Sequence, residues 1–446
     1  MKPKYKVAFI SLGCDKNRIN LEQMMSLTQD AGHEITFDPV DADVCVINTC
    51  GFIDAAKEEG IANILDMARL KEEGRLTKIL VTGCLSQRYR EEIKADLPEV
   101  DGLLGTGSYT DIVTAIEDVM KPDGPMPEFY RDINVTDDDG LRVLTTPGYS
   151  AYIKIAEGCN NWCAFCAIPR IRGRYRSRTM ENVLEEAKYL SEQGVQELIV
   201  IAQDITRYGT DLYGEHKLAA LLRELCKLNF HWIRLHYLYP DDLTDELIDV
   251  IATEPKIVHY LDIPLQHCND DILAVMHRRG TKAQIVALPD KIRAKVPDIV
   301  FRTSLITGLP GETEEAFEEL CDFLREQKLV RAGVFQYSPE EGTRAATMPN
   351  QVDPEVASRR LDLLVDLQSD IMDEFNENRL GETVEVLVEG FSEEMGCWQG
   401  RTYADSADVD GHVYFTAAGV IPAGTFVQVR LTDTVDGDMM GEIEEE

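Results

Sequence analysis

The chain has 446 residues, 80 of them acidic against 45 Lys and Arg, for a formal net charge of −35. The length fits two to four domains, and the charge disfavours a protein that simply coats RNA or an anionic membrane, since both need a basic footprint. Hydrophobic residues make up 44%, enough for buried cores, but there is no apolar run of about eighteen residues to span a bilayer, and MKPKYKVAFISLG lacks a secretory signal's apolar segment and cleavage site, so a cytoplasmic protein is expected.

Residues 1–121 alternate apolar runs with amphipathic stretches. YKVAFISLGC, DVCVINTC and KILVTGC read as strands ending in Cys14, Cys50 and Cys84. Helix-like segments follow at 18–31, 53–73 and 86–96, the signature of an α/β domain built on a parallel sheet. Sites in such sheets lie beyond the carboxyl ends of the strands, where three cysteines would converge. Three soft thiolates suit a [4Fe–4S] cluster with one iron left open. Residues 122–149, with KPDGPMP, NVTDDDG and LTTPG, read as a linker.

Residues 150–375 hold six strand-like runs: SAYIKIAEG, ELIVIAQD, WIRLHYL, IVHYLDIP, IVFRTSLITG and AGVFQYS. Helical stretches separate them, so a partial (βα)6 barrel is expected, with its site at the carboxyl ends of the strands. A doubly wound sheet is the alternative. Cys159, Cys163 and Cys166 follow the first run, in EGCNNWCAFCAIP. Three thiolates in so short a loop can wrap one face of an iron–sulfur cube; the alternative, a zinc loop, needs a fourth ligand, and none follows at short spacing. Trp162 and Phe165 stand between the cysteines as candidate shielding for a cluster. Arg170, Arg172, Arg174, Arg176 and Arg178 alternate, which predicts an extended segment with one cationic face. Gln203, Gln266 and Tyr337 read as strand ends and Ser304 lies on a strand, while Arg172 and Arg174 flank Gly173 beside the cysteine loop and are candidates for contact with anionic groups. Cys45, Cys226 and Cys321 read as core residues; Cys268 and Cys397 receive no ligand role. Residues 378–446 change to short alternating runs between Gly and Asp turns, the pattern of a small all-β barrel.

The Cys159–Cys166 loop resembles the CxxxCxxC motif of radical S-adenosylmethionine enzymes. GCDKN at 13–17, NTCGFIDAAKEE at 48–59, TGCLSQRY at 82–89 and GCNNWCAFCAIPRIRGRYRSR at 158–178 narrow the resemblance to the methylthiotransferases. IAQDITRYGTDLYG, DIPLQH, MHRRG, RTSLITGLPGETEEAFEEL and RTYADSADVDG look like the RimO-like branch, which acts on a ribosomal protein, more than the tRNA-modifying MiaB-like branch. One departure is Asp15, where the family usually has Pro or Gln. The resemblance covers essentially the whole chain, and its last segment is similar to a TRAM domain.

What this resemblance implies is two [4Fe–4S] clusters. One, on Cys159, Cys163 and Cys166, would cleave S-adenosyl-L-methionine to a radical; the auxiliary one, on Cys14, Cys50 and Cys84, would carry the sulfur to be inserted. The implied product is 3-methylthioaspartate, formed at the β-carbon of one aspartate of small-subunit ribosomal protein twelve. Implied partners are that basic protein, the ribosomal subunit, a reductant protein and a sulfur source, with no membrane. The resemblance also implies a cofactor pocket lined by Gln203, Gln266, Ser304 and Tyr337, with Arg172 and Arg174 beside it; no catalytic side chain beyond the cluster ligands is assigned. The alternatives are a tRNA adenosine methylthiotransferase and a non-catalytic iron–sulfur protein of the ribosome. Charge favours the protein substrate: residues 378–446 carry 15 acidic residues against Arg379, Arg401 and Arg430, whereas a tRNA-binding module needs cationic surface.

Overall fold

The computed structural model of the chain describes residues 4–122, 124–135 and 140–444. The acidic turn expected in the linker falls mostly on 136–139, outside the described residues.

The first unit is a six-stranded parallel sheet: β1 (Lys6–Ser11), β2 (Glu34–Thr36), β3 (Ala42–Thr49), β4 (Leu76–Gly83), β5 (Gly102–Leu104) and β6 (Glu128–Phe129), in the order β2-β1-β3-β4-β5-β6. Its strands are apolar on both faces because helices cover both. Val7, Phe9, Val44 and Val46 pack with Met24, Met25 and Ile116, while Cys45, Ile47, Ile79 and Val81 pack with Ile64, Met67 and Ile93 on the other side. β1, β3 and β4 are neighbours, so the three cysteine-bearing ends share one stretch of edge. The expected linker is not all connector: β6 extends the sheet, and Arg142 is buried between Glu22 and Glu186 at 2.5 and 2.7 Å, tying the first unit to the second.

The second unit contains β7 (Ser150–Lys154), β8 (Ala156–Glu157), β9 (Arg176–Ser177), β10 (Glu197–Ile201), β11 (Trp232–Leu235), β12 (Ile257–Asp262), β13 (Val300–Thr307) and β14 (Arg331–Gln336). Apart from the small β8–β9 pair, these form an open sheet in the order β14-β13-β12-β11-β10-β7, every pairing parallel. Each of the six expected strands takes its place in chain order, and the sheet is the partial barrel. Helices from Met180–Glu192 to Pro354–Asn378 pack outside. Inside, Tyr152, Ile199 and Ile201 meet Ile19 of the first unit's helix Asp15–Asp30, so that helix lines the open side of the barrel.

The third unit is a closed barrel of β15 (Thr383–Ser392), β16 (Cys397–Arg401), β17 (Val413–Thr416), β18 (Phe426–Val435) and β19 (Asp438–Ile443) around Val386, Val413, Phe415, Val429 and Leu431. It docks near the amino ends of the second unit's strands. There Glu197 accepts from Arg234 at 2.8 Å and from Arg401 at 2.7 Å, all three side chains essentially solvent-free. Arg331 pairs with Asp405, and Tyr260 donates to Asp410 at 2.6 Å. The carboxyl ends of the strands are left for the site.

Candidate active site

Cys14 follows Gly13 and caps the helix Asp15–Asp30 with extended backbone. Cys50 follows β3 directly, and Cys84 opens the short helix Cys84–Arg88. Glycines make this approach possible. A Cβ on Gly13 (φ +86°) would stand 2.6 Å from that of Cys50, and one on Gly83 (φ +94°) would stand 2.4 Å from the Thr49 carbonyl. Asn17 fastens the loops by donating to the Leu12 and Thr49 carbonyls at 2.8 and 3.2 Å, while Thr49 donates to Thr82 at 2.6 Å. Burial pushes the Cys50 thiol up to about 11, helped by Cys84, and raises Cys84 as well.

The second thiol set lies just past β8. Gly158 (φ +77°) sits so close to the Arg174 carbonyl that a Cβ would come within 2.2 Å. Ala164 is pinned on both sides, its N–H donating to Met276 and its carbonyl accepting from Ala345, each at 2.8 Å. Arg278 lies 3.6 Å from the Cys163 sulfur and also reaches the Pro264 carbonyl. Burial pushes Cys159 up to about 11 and raises Cys166 further, and each of these thiols feels its neighbours' charge. Phe165 packs partly buried against the apolar cluster that holds Ala164, whereas Trp162 stands half exposed in a left-handed conformation, so of the two aromatics only Phe165 is placed to cover the loop.

One guanidinium links the first set to Glu157, two residues before the second. Arg172 is buried and donates to Asn17 and Asn20 (both 2.8 Å), to Glu157 (3.0 Å) and toward the Cys84 sulfur (3.6 Å). Cys84 packs against Ala167, the residue after Cys166. Glu157 also accepts from Lys154 at 2.9 Å and Gln203 at 2.6 Å. Burial alone would raise its carboxyl; Lys154 and Arg172 outweigh that and hold it well below the usual carboxylate range.

The remaining candidates divide. Gln203 Oε1 and the Tyr337 hydroxyl are among the buried polar atoms without a hydrogen-bond partner. Gln266 takes a left-handed backbone (φ +73°) that bridges to Leu305 beside Ser304, both half-buried. Arg174 is exposed and is engaged through its backbone, its N–H donating to Asn134 and its carbonyl accepting from Arg176. The expected cationic strip does not form. Pro169 and Gly173 (φ +75°) bound a short helix, Ile168–Arg172, and Arg178 turns inward onto Glu186. Residues the motifs did not single out are Glu157, Lys154 and Arg278. The signal for the first two was a charged residue within an otherwise apolar run.

Each set of three thiols has the soft-donor chemistry of an iron–sulfur cube. Among the described residues no three His, Cys, Asp or Glu side chains converge on a single metal ion; a cube holds its ligands at separate corners, farther apart. The orphaned Gln203 and Tyr337 oxygens suit a polar cofactor beside the second set.

The fold and these thiol loops define a radical S-adenosylmethionine enzyme. Residues 153–324 match the Radical SAM superfamily, 6–105 the uncharacterized protein family UPF0004 and 380–443 the TRAM domain. The chain is 48% identical to the ribosomal protein uS12 methylthiotransferase RimO of Lachnoclostridium phytofermentans, across 98% of this chain and 100% of that one. It is 46% identical to the protein of that name from Acetivibrio thermocellus, across 99% and 98%. Among solved structures, the radical S-adenosylmethionine methyltransferase TsrM from Kitasatospora setae shares the fold, with TM-score 0.56 at 14% identity over 74% of this chain and 73% of that one. The chain belongs to the ribosomal protein uS12 methylthiotransferase family.

Proposed function

We propose that this enzyme inserts sulfur and a methyl group at the β-carbon of an aspartate in ribosomal protein uS12, giving 3-methylthioaspartate, and that it uses two [4Fe–4S] clusters. The observation that carries the reading is the approach of the two thiol loops, Cys84 of the first packing against Ala167, the residue after Cys166, with Arg172 donating toward Cys84. Bound there, the clusters would supply one-electron cleavage of S-adenosylmethionine at Cys159, Cys163 and Cys166, and a sulfur-bearing open iron at Cys14, Cys50 and Cys84. The chain's own groups set the stage for this. Arg172 and Arg278 offset thiolate charge that burial disfavours. Gln203, steered by Glu157, and Tyr337 offer an acceptor and a hydroxyl to the cofactor. Phe165 and its apolar neighbours keep water from the loop.

The substrate reading agrees with the charge of the third unit. Of its three arginines, Arg379 and Arg401 are buried, leaving only Arg430 exposed and facing Glu442. A basic ribosomal protein suits such a surface better than tRNA does. The test is anaerobic incubation with S-adenosylmethionine, reductant and sulfide, offering a uS12 peptide and tRNA in parallel. A mass gain of CH2S on the peptide's aspartate is expected; modification of the tRNA alone would overturn the proposal.

A further inference from the structure

Lys16 stands in the first turn of the helix that lines the open side of the barrel, two residues after Cys14. Only 6% of its surface is exposed, and its ammonium lies 2.9 Å from the centre of the Tyr237 ring. Tyr237 is itself held in a left-handed conformation (φ +65°), the kind of local strain kept where a side chain must be aimed. A ring face offsets part of the cost of burying a charge but accepts no ordinary hydrogen bond. Among the described residues no carboxylate comes within ion-pairing distance of Lys16.

Two of the nearby acids are already committed, while Asp15, the next residue, acts on Lys16 only at longer range. Asp262 is held by Arg302 at 3.0 Å and by the Tyr237 N–H at 3.2 Å. Glu157 is held by Lys154, Arg172 and Gln203. In a chain of net charge −35, a largely buried lysine with no ion-pair partner has room for an anion from outside. Burial works against its charge and lowers its pKa, whereas Cys14, Asp15, Asp262 and Glu157 favour the charged form, as a bound carboxylate would. A ligand on Lys16 therefore lies beside the first thiol set and near Glu157, two residues before Cys159.

Resting on the function proposed above, we propose that Lys16 is an anion site for the side-chain carboxylate of the aspartate to be modified. The β-carbon is one bond from that carboxylate, so anchoring it fixes the reacting carbon with little remaining freedom. A charge-assisted contact in an enclosed site also rejects an asparagine in the same position, which leaves the ammonium unpaired.

The test uses the full chain with its clusters reconstituted, a uS12 peptide, and the same peptide with asparagine at the target. Lys16→Gln should keep its iron and its peptide-independent cleavage of S-adenosylmethionine. It should raise KM for the aspartate peptide by about tenfold or more and move the aspartate-to-asparagine preference toward unity; Lys16→Arg should restore much of both. Unchanged KM in an iron-replete Lys16→Gln chain would overturn the site. So would loss of peptide-independent cofactor cleavage, which would assign Lys16 to the cofactor's own carboxylate. Should Lys16→Gln fail to hold iron, competition binding to the wild-type chain decides: weaker binding of the asparagine peptide supports the site, and equal binding refutes it. A wild-type chain that modifies neither peptide refutes the proposed function, and the same competition still decides the carboxylate site.

Discussion

Arg172 is the residue on which the two halves of the site depend. Removing its charge leaves Glu157 buried with less compensation and Cys84 without its nearest cation, a loss of about 3 kcal/mol or more for a buried pair broken on one side. Arg172→Met is accordingly expected to lower the denaturation midpoint and to hold about half of the wild-type iron. Arg172→Lys should recover little, since a single ammonium cannot fork to Asn17, Asn20 and Glu157 together. Full iron in Arg172→Met, by colorimetric assay, would refute this. His267 sets a different test. It is buried, accepts from the Asn269 N–H at 3.0 Å, and burial pushes it down to about 4. Between its unfolded value and pH 4 the unfolded chain binds a proton that the native chain does not. Stability should therefore fall as pH drops through that window, by roughly 3 kcal/mol in all. Urea midpoints measured from pH 7 to pH 4 should show a shallower decline in His267→Gln.

At the scale of elements, Gly83 controls how Cys84 is presented. Gly83→Ala puts a methyl group against the Thr49 carbonyl in a backbone region that alanine disfavours. Loss of auxiliary-site iron, with Cys159, Cys163 and Cys166 still able to hold theirs, is the expected result of iron counting and spectroscopy; a variant with a full iron complement would count against it. Much of this level was legible beforehand. The six central strands are apolar runs separated by helices, and they fall into the barrel in that order. The cysteines at the ends of β1, β3 and β4 converge because those strands are neighbours. Harder to see were β2, β5 and β6, two or three residues long, and β16, whose CWQGR has no alternation and is fixed by pairing with β15 and β17. The arginine spacing misled for a similar reason. Period two describes a strand only if nothing local intervenes, and Pro169 and Gly173 made a helical turn of it. Lys16 was hidden because the ring it faces, Tyr237, is remote in the chain, and Glu157 because only Lys154 of its partners is local while Arg172 and Gln203 lie further on.

For the whole molecule, the charge excess acts at a distance. If a basic ribosomal protein is the substrate, association should be steered by the field of a −35 chain and weakened by salt. Raising ionic strength from low to several-fold physiological should raise KM for the intact protein on the order of tenfold, with a smaller effect on a short, weakly charged peptide. A flat salt profile for the intact protein would refute a steering role. Arg172 has one more consequence, which concerns time. The thiols at 14, 50 and 84 leave the ribosome well before the guanidinium that faces Cys84 has been made. A growing chain thus carries its first three thiols as an unneutralised, half-built pocket until the second unit folds against it. Loading of that pocket should follow completion of the chain, and a fragment ending at residue 121 should retain iron less well than the whole.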